Sequence, residues 1–241
     1  NSCETESDEE LWNFVYECLN TIKKTYNIFC KSSVAITISS LLKGLLNQSK
    51  TKDIEEETNF KIINKYIEII MYLFNEDEDM EVIVEIFHTL NEIVYNFTYE
   101  ALESCLEDIL DLTSKFLSPE MSFRYRPNER SKDVYHEILD FLTNFIISAT
   151  TKAYEYLENV TKQYYELLHD PGSNLRFRSF AIRYFGYLIT NSENLTDELQ
   201  NDIVVTAIQM VSNDNEYGAL VAIQQMANSI PDLMKQYQDK I

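Results

Sequence analysis

Apolar residues recur along this chain with a helical period. Starting from Phe177, apolar residues follow at Ala181, Phe185 and Leu188, offsets of 4, 8 and 11 that fall on one side of a helix. Small Ala181 admits a neighbouring backbone. Gly186 inside the same pattern costs about 1 kcal/mol of helix stability against Ala, so it is expected where a second helix comes close. Upstream, His-Asp-Pro-Gly-Ser-Asn at 169–174 is a turn cluster, and 152–168 is another amphipathic run. The unit is helix, tight turn, helix.

The unit recurs. Val34 leads Ile38, Leu42 and Leu45; Val82 leads Ile86, Leu90 and Ile93; Val134 leads Ile138, Leu142 and Phe145; Tyr217 leads Val221 and then, less regularly, Met226 and Ala227. The lead positions 34, 82, 134, 177 and 217 lie 48, 52, 43 and 40 residues apart. Helix pairs at such periods predict an all-α chain stacked as a helical solenoid of about five pairs. An irregular all-helical domain is the alternative, because offsets of 4 and 8 occur in any amphipathic helix. The repeats read as 8–47, 57–96, 98–149, 151–190 and 195–229, with a partial one at 230–241.

Helices are predicted over 8–24, 31–46, 58–74, 80–96, 98–117, 131–149, 151–168, 174–190, 196–211, 216–229 and 232–238. In the first, Leu11, Phe14, Val15, Cys18, Leu19 and Ile22 are expected inward, with Trp12 covering the end of the stack. Ser131 and Thr196 are expected as N-caps. Asn-Glu-Asp-Glu-Asp at 75–79 turns into the helix from Met80, its acid suiting the helix dipole. It resembles a calcium-binding loop only superficially, for it lacks the glycine and the terminal glutamate in register. The segment 118–130, with two prolines and no period, is the longest loop. Its Arg124, Tyr125 and Arg126 either stack on a base or tether the loop to an acidic neighbour.

Charge narrows the partners. Lys and Arg number 20 against 40 Asp and Glu, a net charge of −20 among 241 residues. Such a chain repels phosphate backbones and anionic membranes and attracts basic partners, unless the acid only solubilises the surface. No direct nucleic-acid or membrane partner is expected, and no apolar run is long enough for a transmembrane helix. The four cysteines (3, 18, 30 and 105) show no CxxC and no metal spacing with the three histidines, so reduced and mostly buried thiols are expected. A chain that does not begin with Met reads as a segment of a longer protein. Sequons start at Asn47, Asn96, Asn159 and Asn194, as an Asn-rich chain yields by chance.

No phosphate-loop, dinucleotide, zinc-protease or nucleophile-elbow motif is present. No catalytic, cofactor or metal residue is therefore predicted. What remains is surface. If the lead, +4, +8 and +11 positions face the core, then −1, +6 and +10 face out. These are Ser33, Ser40 and Gly44; Glu81, His88 and Glu92; Asp133, Asp140 and Asn144; Arg176, Arg183 and Tyr187; Glu216, Ile223 and Ala227. With flanking Glu85 and Glu137, the second and third sets offer Glu81, Glu85, Glu92, Asp133, Glu137 and Asp140 as an acidic patch for a basic cargo segment. An ordinary solvated face is the alternative.

Phe177-Arg178, Ala181 and Phe185-Gly186, following Asp170 in the turn, resemble the HEAT-repeat pattern of apolar-Arg, Ala and apolar-Gly in a second helix. Val82, Val134 and Tyr217 are not followed by Arg, and only Gly44 echoes the glycine. Residues 62–112 and 133–240, through Asn75 to Glu92, the Asp133-Val-Tyr helix and Val211 to Met226, resemble the later half of an importin-β-type karyopherin. That resemblance implies a nuclear transport receptor of cytoplasm and nucleus, with cargo binding controlled by Ran-GTP and phenylalanine-glycine nucleoporins as partners. The Ran site would lie outside this segment. A HEAT scaffold of another class, a phosphatase, microtubule or chromosome-organising subunit, needs only the repeat.

Overall fold

The structure is a computed structural model. It describes residues 13–24, 31, 33–42, 44, 56–76, 80–117, 129–173, 175–192, 195–214 and 216–237. Among them the chain is all-α, with no strand. The helices are α1 (13–22), α2 (33–42), α3 (Glu56–Glu76), α4 (Met80–Phe97), α5 (Leu106–Leu117), α6 (Glu129–Ala149), α7 (Ala153–Tyr156), α8 (Glu158–His169), α9 (Leu175–Asn191), α10 (Asp197–Asp214), α11 (Tyr217–Ser229) and α12 (Pro231–Lys235). Two compact units form, one of Asn1–Ile109 with Glu129–Glu137, the other of Leu110–Asn128 with Ile138–Ile241.

In the first unit the predicted core periodicity holds. Val34, Ile38, Leu42, Val82, Ile86, Leu90 and Ile93 are buried. Phe74 of α3 meets Phe87 of α4 edge to face at 5.2 Å. The Thr89 hydroxyl donates to the carbonyl of Ala35 at 3.2 Å, tying α4 to α2 inside the core. Helix α1 departs from expectation in part: Leu19 is buried as expected, but Phe14, Cys18 and Ile22 are exposed, and Tyr16 and Lys23 turn inward beside Leu19 instead. The Tyr16 ring stands edge-on to Tyr66 at 6.0 Å, and the Lys23 ammonium lies over the Tyr72 ring at 4.6 Å. Long amphipathic side chains cover apolar surface with their stems and rings, so the buried face need not be the most apolar by letter. Trp12 lies outside the described residues.

The predicted third outer helix over 98–117 is in fact two pieces, a 3-10 segment Tyr99–Cys105 and then α5. The helix expected over 151–168 is likewise broken into a 3-10 segment Thr150–Lys152, the short α7 and, past Leu157, α8. In both places one backbone feature ends the preceding helix, α4 or α6, ahead of the 3-10 piece. Thr98 and Thr150 have φ of 76° and 48°, a conformation that no β-branched residue carries through a helix. Each stands 16 residues after a lead valine, Val82 or Val134. Ser131 is not an N-cap, because α6 starts at Glu129. Thr196 is one: its hydroxyl accepts from the Leu199 N–H at 3.3 Å. The loop residues Arg124, Tyr125 and Arg126 lie outside the described residues.

In the second unit, Ile138, Leu142, Ala181, Phe185 and Leu188 are buried, as Val134 is in the first. Phe177 is only half-buried, a correction to its place as a lead residue. The Tyr164 and Tyr184 rings stack at 4.4 Å, and Tyr184 shares a 2.7 Å hydrogen bond with Thr161, joining α8 to α9. The Arg178 Nε donates to the Leu168 carbonyl at 3.1 Å, so the start of α9 caps the end of α8. Gly186 packs where a second helix arrives: a Cβ there would lie 3.0 Å from the Ala222 Cα and 3.1 Å from its Cβ. Gly218 answers it, since a Cβ there would lie 3.0 Å from the Ser179 carbonyl oxygen. Ser179 faces 218 and Gly186 faces 222, so α9 and α11 run parallel.

That approach resets the register of α11. Gly218, Ala219, Ala222, Ile223 and Met226 are buried, whereas the expected lead Tyr217 is 75% exposed and Ile223, expected outside, is in the core. Small residues let two backbones close up, and the resulting contact outweighs what a bulky Tyr could bury at the helix end.

Candidate functional site

The predicted acidic patch draws on α4 and α6. In α4 the residues Glu81, Glu85, His88 and Glu92 have offsets of 4, 7 and 11 and make one stripe. Glu85, His88 and Glu92 are half-buried. The Glu92 carboxylate accepts from the Asn96 Nδ2 at 3.1 Å, and the same nitrogen donates to the Glu92 carbonyl at 2.8 Å. The Glu81 and Asp133 side chains lie outside the described set, though both backbones are helical. Glu137, half-buried on α6, reaches His88 on α4, Oε2 to Nδ1 3.4 Å. The structure thus brings Glu85, Glu92 and Glu137 to adjoining helix faces in one unit. Asp140 belongs to the second unit, where it is half-buried.

This surface is less purely acidic than the six carboxylates suggest, because His88 stands between the two helices. The pair is partly open, with side-chain exposures of 41% and 24%. One imidazole contact to Glu137 leaves Glu85 and Glu92 with their own charge.

A second cluster joins α8 to α10. The Tyr165 hydroxyl donates to Asp202 Oδ2 at 3.0 Å, and His169 Nε2 meets the same oxygen at 3.0 Å. Burial, then the hydrogen bond to Asp202, pushes the Tyr165 phenol up. Tyr165 and His169 are four apart on α8, which a sequence shows; Asp202 comes from α10, which it does not. The Asp202 carboxylate takes two donors at once, and the arrangement clamps α8 to α10.

Of the cysteines, Cys18 is exposed, against expectation, because α1 turns its other side inward. Cys105 is half-buried and its thiol is pushed up to about 11 by burial, which leaves it protonated and unreactive near neutral pH. Cys3 and Cys30 lie outside the described residues. Among the described residues no group of three or more His, Cys, Asp or Glu is placed to hold a metal ion, and no helix is long and apolar enough to cross a membrane. No family model and no curated protein matches the chain.

Proposed function

We propose that this chain is a non-catalytic helical-repeat binding scaffold, a segment of a nuclear import receptor whose carboxylates hold a basic cargo segment under Ran-GTP control. The observation that carries the reading is the contact between His88 and Glu137. It sets the carboxylate stripe of α4 beside α6, so that Glu85, Glu92 and Glu137 offer their charge to one extended cationic peptide. The equivalent placing of Thr98 and Thr150 behind Val82 and Val134 supports a repeated unit. A net charge of −20 favours encounter with cationic segments over a long range.

Fluorescence anisotropy with a labelled Lys/Arg-rich peptide tests it. Combined Glu85→Lys, Glu92→Lys and Glu137→Lys should weaken binding at least tenfold, about 1.4 kcal/mol, while circular dichroism shows an intact helical fold. In the parent receptor, Ran-GTP should release the peptide. A reversed protein that folds normally and binds as before would leave the patch a solvated face.

A further inference from the structure

Asp and Glu make up 40 of the 241 residues, one in about six, so α9 and α11, with 17 and 13 residues, would carry five at that density. They carry none. The two helices run in parallel and close on each other at Gly186 and Gly218. Helical geometry then defines what they show outward. On α9 the positions left over from the core are Arg176, Phe180, Arg183 and Tyr187, at offsets of 4, 7 and 11, all half-buried. On α11 the corresponding side holds Tyr217, Val221, Gln224 and Asn228. Viewed along parallel axes, these stripes flank the contact line on the same side, so they form one face. Arg176 lies over the Phe180 ring at 5.7 Å. The nearest acid in sequence, Glu216, is occupied as the N-cap of α11, accepting from the Gly218 N–H at 3.2 Å.

Two atoms are unmatched, one on this face and one beside it in the crossing, where Gln225 lies against Gly186. The Arg183 Nε, a donor, and the Gln225 Oε1, an acceptor, are buried without hydrogen-bond partners. Buried polar groups left so are costly, and a guanidinium is the costlier because its charge is permanent. Both sit on long side chains that can swing outward to a ligand. A peptide answers both needs, with a carboxylate for the guanidinium and a backbone N–H for the amide oxygen. A run of phosphate groups offers acceptors alone.

We propose that the α9–α11 face binds an extended acidic peptide segment carrying an aromatic side chain, its carboxylates on Arg183 and its ring among Phe180, Tyr187 and Tyr217. The site is of opposite sign to the α4–α6 patch and goes beyond the reading of the chain as a basic-cargo scaffold.

The test uses the full 241-residue chain and a fluorescein-labelled octapeptide of alternating Glu and Phe. Its controls are the Gln/Phe and Lys/Phe counterparts and an eight-nucleotide oligouridine. The acidic peptide should bind at least tenfold tighter than the Gln/Phe peptide, and more weakly as NaCl rises. Arg183→Gln should reduce that binding at least fivefold. Gln224→Glu, an exposed change that removes no packing, should do the same by placing a carboxylate on the face. Glu92→Lys, on the other surface, should leave it within twofold, which keeps failure here distinct from failure of the basic-cargo reading. Equal binding of the acidic and Gln/Phe peptides would overturn the proposal, as would undiminished binding by Gln224→Glu. Tighter binding of the oligouridine would make the face a nucleic-acid surface instead.

Discussion

Gly186 and Gly44 both interrupt helical patterns, and only their surroundings separate them. A Cβ at Gly44 would meet nothing within 4 Å, whereas one at Gly186 meets the backbone of Ala222 at 3.0 Å. Gly44→Ala should therefore stabilise by up to about 1 kcal/mol through helix propensity. Gly186→Ala gains the same propensity but overpacks a close helix crossing, which costs roughly 1–3 kcal/mol, so the net change should be a loss. Urea midpoints that move in the same direction for both variants would refute the crossing. Tyr66 gives a second residue-level prediction. It is 1% exposed, and burial pushes its phenol up to about 12; burial raises Tyr184 as well. The folded-state value lies above the unfolded one, so the stabilisation is complete below pH 10 and is lost as pH rises from about 10 to 12. The melting temperature should fall steeply across that window, and Tyr66→Phe should make the fall shallower. An unchanged slope in Tyr66→Phe would mean that the phenol is not held protonated by the fold.

At the scale of elements, the period of the chain was a good guide wherever a helix buries a full stripe on both neighbours. Offset alone places Leu90 and Leu142 in the core, and both are fully buried. Replacing either by Ala should cost about 2–5 kcal/mol, as large-to-small core changes do. Phe177→Ala should cost clearly less, because the ring is only half-buried. Comparable losses for Phe177→Ala and Leu142→Ala, read from denaturant midpoints, would contradict the observed register. The misreadings have physical causes. In α1 the buried stripe adds Tyr16 and Lys23 to Leu19, and the polar tips of those two hide their apolar ring and stem from a pattern that counts letters. In α11 the core is Gly, Ala and Met, too small in side chain to signal a face. The ends of α4 and α6 at Thr98 and Thr150 depend on a backbone conformation that threonine rarely takes, and nothing in the composition nearby announces them.

For the molecule as a whole, charge was readable at once and its arrangement only in part. The offsets 81, 85 and 92 define a stripe without a structure. That His88 meets Glu137 could not be read, since neither residue knows its neighbour helix. The acid-free helices α9 and α11 were equally visible in the letters, but they gain meaning only once Gly186 and Gly218 make them one surface. The same imbalance of 40 acids against 20 bases sets a property of the entire chain. Local pairs do little to offset it: Asp232 and Lys235, 3.0 Å apart, are 93% and 69% exposed, and such pairs are worth roughly 0–1 kcal/mol. Net repulsion should then dominate the response to salt. The screening length falls from about 30 Å at 0.01 M to about 8 Å at 0.15 M. Raising NaCl over that range should relieve self-repulsion and raise the melting temperature, by about 2–4 °C for each kcal/mol relieved in a chain of this size. The rise should level off at higher NaCl, where screening is already short-ranged, and should shrink toward pH 4.5, where the net charge approaches zero. A melting temperature that falls with NaCl at pH 7 would show instead that attractive pairs outweigh the surplus of acid.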